Sequence, residues 1–144
     1  MSSREYVTKN KSLGLPNGPY DLNKVTIERL IKAEKAGNFA IGYIAPIGGF
    51  APKMIGGSDE DLRQEIMSKI EIAYQRGYDK FYFKYTSSVK ERFEIECLNF
   101  HNFNRQLDQR RHPYPPDGVN YSCPDKICAQ FFNSGRNKLS KELT

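Results

Sequence analysis

The chain has 144 residues and no apolar run near the ~18 residues that a membrane-spanning helix needs. No apolar segment stands near Met1, so a signal peptide is not read there, and a cytoplasmic protein without a membrane partner is expected. Cysteine is scarce. Three residues, an odd number, do not make a disulfide framework in a chain of this length. Reduced thiols or a metal site are the expectation for such cysteines in the cytosol. There is also no Lys/Arg block, no internal repeat and no low-complexity stretch, which removes basic tails and solenoids from consideration.

What is present is an ordinary globular composition, 38% hydrophobic, 27% charged and 12% aromatic, enough for one domain with a single core. The formal net charge is +5. A modest positive excess suits a polyanion such as DNA, and equally suits a mildly basic solvated surface. A nucleic-acid contact would need a contiguous basic face, for which Lys84, Arg105, Arg110 and Arg111, with Arg63, are the candidates.

Residues 1–22 are polar, and Gly14, Pro16, Gly18 and Pro19 punctuate them, so they read as an arm with little regular structure. Residues 23–132 read as the domain and 133–144 as a polar tail. Asn23 is placed to cap a helix from Lys24 to Lys35, with Gly37 as its stop. Phe39 to Ala45 reads as a central strand, apolar on both faces. Phe50 to Ile55 reads as its hairpin partner, with Pro52 marking an irregular or edge position. Ser58 and Asp61 suggest a capped start for a single helix from about Asp59 to Gln75, whose Leu62, Ile66, Ile70, Ala73 and Tyr74 recur at helical spacing. Lys80 to Tyr85 alternates as a third strand, and Ser88 with Glu91 caps a helix to about Phe103. The expected fold is α+β, a small, mostly antiparallel three-stranded sheet flanked by helices. The segment from His112 to Gly118 is too rich in proline to be helical.

Two groups of residues carry chemistry. Cys97 and His101 stand at i and i+4 on one helical face, and His112, Cys123 and Cys128 follow the bend. Thiolates and imidazoles in such a group suit Zn²⁺, and four of them would close a structural site. The other group is the hairpin with its Gly56-Gly57 turn, the helix carrying Leu62, and the helix carrying Phe93-Glu94-Ile95-Glu96-Cys97.

The order of strand, glycine turn, helix, strand and glutamate-bearing helix resembles the GIY-YIG nuclease family, over roughly residues 37–128. The first motif falls near Gly37-Asn38-Phe39 and the second at Met54-Ile55-Gly56. The tail Glu96-Cys97, Phe100-His101, His112-Pro113, Pro116-Asp117-Gly118 and Cys123-Pro124 resembles that of a subset of bacterial relatives, with its last cysteine spaced more widely. The resemblance implies metal-assisted phosphodiester hydrolysis. Glu96 would hold Mg²⁺, Tyr43 would orient the water and Arg63 would take the phosphate charge. The motif tyrosines are replaced by Phe39 and Met54, and the arginine position by Glu65. Those departures point to a DNA-binding protein whose endonuclease activity is weakened or lost. The alternative is a non-enzymatic scaffold or protein-interaction domain on the same fold.

Overall fold

The computed structural model describes residues 13–109, 111–116, 118–119 and 121–125. Its elements, in chain order, are β1 (Asn17–Asp21), α1 (Lys24–Leu30), β2 (Gly37–Ile44), β3 (Phe50–Ser58), α2 (Leu62–Met67), α3 (Ile70–Gln75), β4 (Lys80–Tyr85) and α4 (Val89–Phe103). The strands form one antiparallel sheet in the order β1-β4-β2-β3. The α+β class therefore stands, but the sheet has four strands, not three.

The extra strand comes from the stretch read as an arm. β1 is an edge strand five residues long that pairs only with β4, and its register shifts between Asn17 and Tyr20. Pro19 is tolerated there because an edge strand leaves one row of backbone donors unused. So short and irregular a strand shows no clean alternation. What fixes it is packing: the Tyr20 ring lies 5.8 Å from Phe81 and 6.1 Å from Phe83.

The strand alternation sends two apolar sets to opposite faces of the sheet. Phe39, Ile41, Phe81 and Phe83 join Ile27, Ile31, Leu62, Ile66 and Ala73 under α1, α2 and α3. Ala40, Phe50 and Ile55 join Phe100, Phe103 and Leu107 under α4 and the segment after it, with Leu13 and Leu15. The result is three layers, with the sheet in the middle. Full burial of a side chain such as Phe39 or Phe81 contributes about 1.5–3 kcal/mol.

The strands of the hairpin differ from the sequence reading in their ends, β2 running Gly37–Ile44 and β3 reaching Ser58, and three differences around the helices each have a local reason. Helix α1 stops at Leu30 instead of Lys35 because Ile31 turns extended to stay in the core, and the Tyr85 hydroxyl accepts from the released Lys32 N–H at 2.9 Å. The single helix expected from Asp59 to Gln75 is split into α2 and α3. The Ser68 hydroxyl donates to the Glu65 carbonyl at 2.6 Å and tightens the chain there. Asp61, not Ser58, is the N-cap of α2, accepting from Gln64 N–H at 3.1 Å. Ser58 instead accepts from the Glu60 and Asp61 N–H groups, which shapes the turn before the helix.

Ser88 caps α4 as expected, accepting from Glu91 N–H at 3.0 Å. The Glu91 carboxylate accepts in return from the Ser87 N–H at 2.8 Å and from Lys84 Nζ at 3.1 Å. The Ser87 backbone bond, followed by the Lys84 contact, holds the Glu91 carboxyl below the usual glutamate range. A lowered folded value means that this contribution is present above the unfolded value and is lost as pH falls through the folded one. Glu91→Gln is expected to melt below the wild type at neutral pH, with the gap narrowing as the carboxylate is protonated. Thermal melts across the acid range check this, and a gap independent of pH would contradict it.

Candidate functional site on helix α4

The side chains of α4 with chemical character fall into two groups, one facing the end of the β2–β3 hairpin and one facing the segment after the helix. The first is built from Asn38, Gly57, Asp59, Arg92 and Glu96. Asn38 opens the central strand and is wholly buried. Its amide donates to the Arg92 carbonyl at 3.0 Å and to the Gly56 carbonyl at 3.4 Å. No protein partner meets Asn38 Oδ1 among the described residues. Gly57 pairs with Asn38 across the hairpin, and a β-carbon there would lie 2.5 Å from the Gly37 carbonyl and 3.2 Å from the Arg92 side chain. Only glycine leaves Arg92 room to lie against the strand.

Arg92 is 7% exposed. Its Nε donates to Asp59 Oδ1 at 2.5 Å and its Nη1 to Glu96 Oε1 at 2.7 Å, so one guanidinium joins the turn after β3 to the next turn of α4. Burial opposes the charge on Arg92, but Asp59 and Glu96 together hold its pKa above the ordinary arginine value. At Glu96 the balance is reversed. Burial dominates and raises its carboxyl above the usual range, Arg92 pulls it down, and Asp59 and Glu65 add to the rise. The guanidinium is thus the fixed charge of the group, and Glu96 carries the cost of desolvation.

This arrangement does not suit Mg²⁺ at Glu96. The guanidinium occupies the cationic position beside Glu96 and Asp59, and a divalent ion would be repelled by it. Nor does it bring the other expected catalytic residues together. Tyr43 lies toward the far end of β2, about 17 Å along the strand from Asn38 at ~3.4 Å per residue. There its ring stacks on Tyr78, with centroids 6.2 Å apart. Arg63 turns toward α1 and pairs with Glu28 at 3.6 Å. Glu65 pairs with Lys69 at 3.7 Å on the surface of α2. Phe39 and Met54 pack on the core beneath the first three helices.

Of the basic residues considered for DNA, Lys84 is paired with Glu91, and Arg105 and Arg111 lie at the surface, Arg105 with a contact of its own. Arg110 lies outside the described residues, as does Cys128.

The second group is the Cys/His cluster. The ligand atoms of Cys97, His112 and Cys123 all lie within 4.8 Å of one another, close enough to hold a metal ion. Both cysteines are buried and not disulfide-bonded. Phe93 and Tyr121 pack around them. His101 adjoins the group, with its Nε2 3.1 Å from His112 Nε2. His112 Nδ1 lies 2.7 Å from the Pro113 carbonyl, which assigns the proton to Nδ1 and leaves Nε2 as an acceptor. Burial, foremost, pushes the His112 pKa down, which favours the neutral imidazole that metals bind.

Sequence reading had named the cysteines and histidines and Glu96. It gave Asn38 and Asp59 no role beyond their places in the first motif and at a helix start, and did not single out Arg92. Asn38 had a signal, a polar residue heading an apolar strand. Arg92 had a weaker one, since it stands one turn before Glu96 in the helix.

Comparison with protein-family models, with curated proteins and with solved structures returned no match. No helix among the described residues is long and apolar enough to cross a membrane.

Removing Arg92 leaves two carboxylates facing each other with no cation between them. Arg92→Met is expected to cost about 1–3 kcal/mol, more than a surface pair and less than a fully buried one, because the guanidinium is buried while Asp59 and Glu96 keep some access to solvent. Arg92→Lys should recover part of this, since an ammonium cannot span both carboxylates with a planar fork. Denaturant unfolding measures both, and a loss under 1 kcal/mol for Arg92→Met, the range of a surface pair, would refute the locked arrangement.

Proposed function

We propose that this chain is a nucleic-acid-binding protein of GIY-YIG-like architecture in which the nuclease site has been replaced by an internal ion pair. The observation that carries the reading is Arg92 bridging Asp59 and Glu96, at the hairpin end where the resemblance assigns the metal-binding glutamate. Support for the ancestry comes from connectivity. A β2–β3 hairpin is followed by helix, by a strand that returns antiparallel to β2, and by a helix bearing the glutamate.

Catalysis by this pocket is disfavoured on electrostatic grounds. Phosphodiester hydrolysis needs cationic groups aimed at the charge that builds on phosphate. Here Arg92 is already spent on two carboxylates, Glu65 adds to the negative field, and Arg63 is paired elsewhere. Binding would fall to the overall positive charge and to exposed cations beyond α4, Arg105 and Arg111. The cofactor in this reading is Zn²⁺ rather than Mg²⁺. Thiol and imidazole donors select the softer ion, and a metal at Cys97, His112 and Cys123 would hold the segment after α4.

The second reading is a scaffold or protein-interaction domain with no nucleic-acid role. It is favoured by the pairing of Arg63 with Glu28 and of Lys84 with Glu91, which reduces the available basic surface.

Incubation with supercoiled plasmid and Mg²⁺ or Mn²⁺, scored for both nicking and gel retention, separates these outcomes. Retention without nicking above background is expected, unchanged in nicking for Glu96→Ala. Nicking abolished by Glu96→Ala would show that the pocket is an active nuclease site. Absence of retention even at low salt would leave the scaffold. If Arg105 and Arg111 contact phosphate, replacing each with Ala should weaken retention and lower the salt slope by about 1 per contact.

A further inference from the structure

We infer that Cys97, His101, His112 and Cys123 together form one closed, four-ligand site for Zn²⁺. This rests on reading the cluster as a zinc site and goes further by naming its complete ligand set and its role. Three of the four donors share a space within 4.8 Å; His101 stands outside that set but adjoins it, with Nε2 3.1 Å from His112 Nε2, and a turn of its ring would bring it onto the ion. Tetrahedral zinc, with Zn–N of about 2.0–2.1 Å and Zn–S of about 2.3 Å, separates its donor atoms by about 3.3–3.8 Å. The imidazole pair therefore already stands near the nitrogen–nitrogen edge of such a tetrahedron.

The donors are held by different means. Cys97 and His101 project from one face of α4 a single turn apart, which is the spacing by which a helix offers two metal ligands. His112 and Cys123 come from the segment after the helix. The His112 ring is oriented by its Nδ1–H bond to the Pro113 carbonyl, so Nε2 faces the cluster with its lone pair. The Phe100 ring stands edge-on to both imidazoles, with centroids 5.9 Å from His101 and 5.4 Å from His112. Four protein donors behind aromatic walls leave no position for a substrate or water, so the site is structural and not catalytic.

In the metal-free form His101 Nε2–H donates to His112 Nε2. On binding, the His101 proton moves to Nδ1, and the Cys97 and Cys123 thiols each release a proton to solvent as their sulfurs become thiolates. The ion then joins α4 to a stretch with no helix or strand among its described residues, 111–116 with 118–119 and 121–125. A metal there would tie that stretch to the helix directly.

The test uses the full chain, with zinc content measured after dialysis against a weak chelator and the visible spectrum recorded after replacement by Co²⁺. One zinc per chain and a tetrahedral cobalt spectrum with two thiolates are expected. His101→Ala should weaken zinc binding by about 100-fold or more, beyond the 10–100-fold typical of residues that merely orient a ligand. Cys128→Ser should leave it unchanged. Cys97→Ser should abolish it, but that thiol is buried and the variant can fail to fold, so His101→Ala and Cys128→Ser decide. Zinc affinity undiminished in His101→Ala would overturn the four-ligand set while leaving a metal on the other three. A three-thiolate cobalt spectrum that is lost in Cys128→Ser would overturn it as well. A wild-type chain that takes up neither zinc nor cobalt would overturn both this inference and the zinc reading beneath it.

Discussion

The amide of Asn38 reaches from the central strand to the backbone carbonyl of Arg92, 3.0 Å away, and that buried bond sets where α4 lies on the sheet. Gly57 on the neighbouring strand clears the space through which the Arg92 side chain runs. With α4 fixed at this point, Phe93, Phe100 and Phe103 turn inward, Arg92 and Glu96 meet Asp59, and Cys97 and His101 present themselves to the following segment. A buried amide that spans two elements loses free energy when either partner moves, because each polar group would be left without a bond. It therefore specifies position more sharply than the apolar contacts around it.

Electrostatics and burial act in opposite directions along the same helix. At its start Glu91 is solvated, bonded to backbone, and stabilised as an anion. Little more than one turn later Glu96 is partly buried, and desolvation disfavours its charge despite a guanidinium at 2.7 Å. Two glutamates on one helix thus differ in character through environment alone. Arg92 is what keeps the second arrangement tolerable, and it does so by using up the positive charge that an anionic ligand would otherwise meet.

Much of the frame could be read from the residues. β4 begins and ends where its alternation does, and α4 follows from its Ser88 cap and its apolar spacing. The hairpin was recognisable from Gly48-Gly49, although β3 runs on to Ser58, beyond the expected Ile55. β1 was not legible, because a short edge strand interrupted by Pro19 has the composition of a loop, and it is defined by its pairing with β4 and by the packing of Tyr20 on Phe81 and Phe83. The break at Ser68 was hidden for another reason. The apolar positions Leu62, Ile66 and Ala73 keep helical phase across it, so periodicity alone reads one helix. For the Cys/His cluster, residue types and the i, i+4 spacing were visible, while the return of Cys123 to Cys97 required the three-dimensional path. Arg92 was the main omission. Its partner Asp59 lies far from it in sequence, and long-range ion pairs leave no periodic trace.

The position of Arg92 also bears on how this pocket tolerates change. Asp59, Arg92 and Glu96 together carry one net negative charge, and Glu65 on α2 adds to the negative field felt by Glu96. Removing Arg92 alone would leave Asp59 and Glu96 in mutual repulsion, with Glu65 making it worse. A neutral or basic residue at position 65 would lessen that repulsion. The two positions are therefore coupled: what the loss of Arg92 costs depends on which charge stands at position 65.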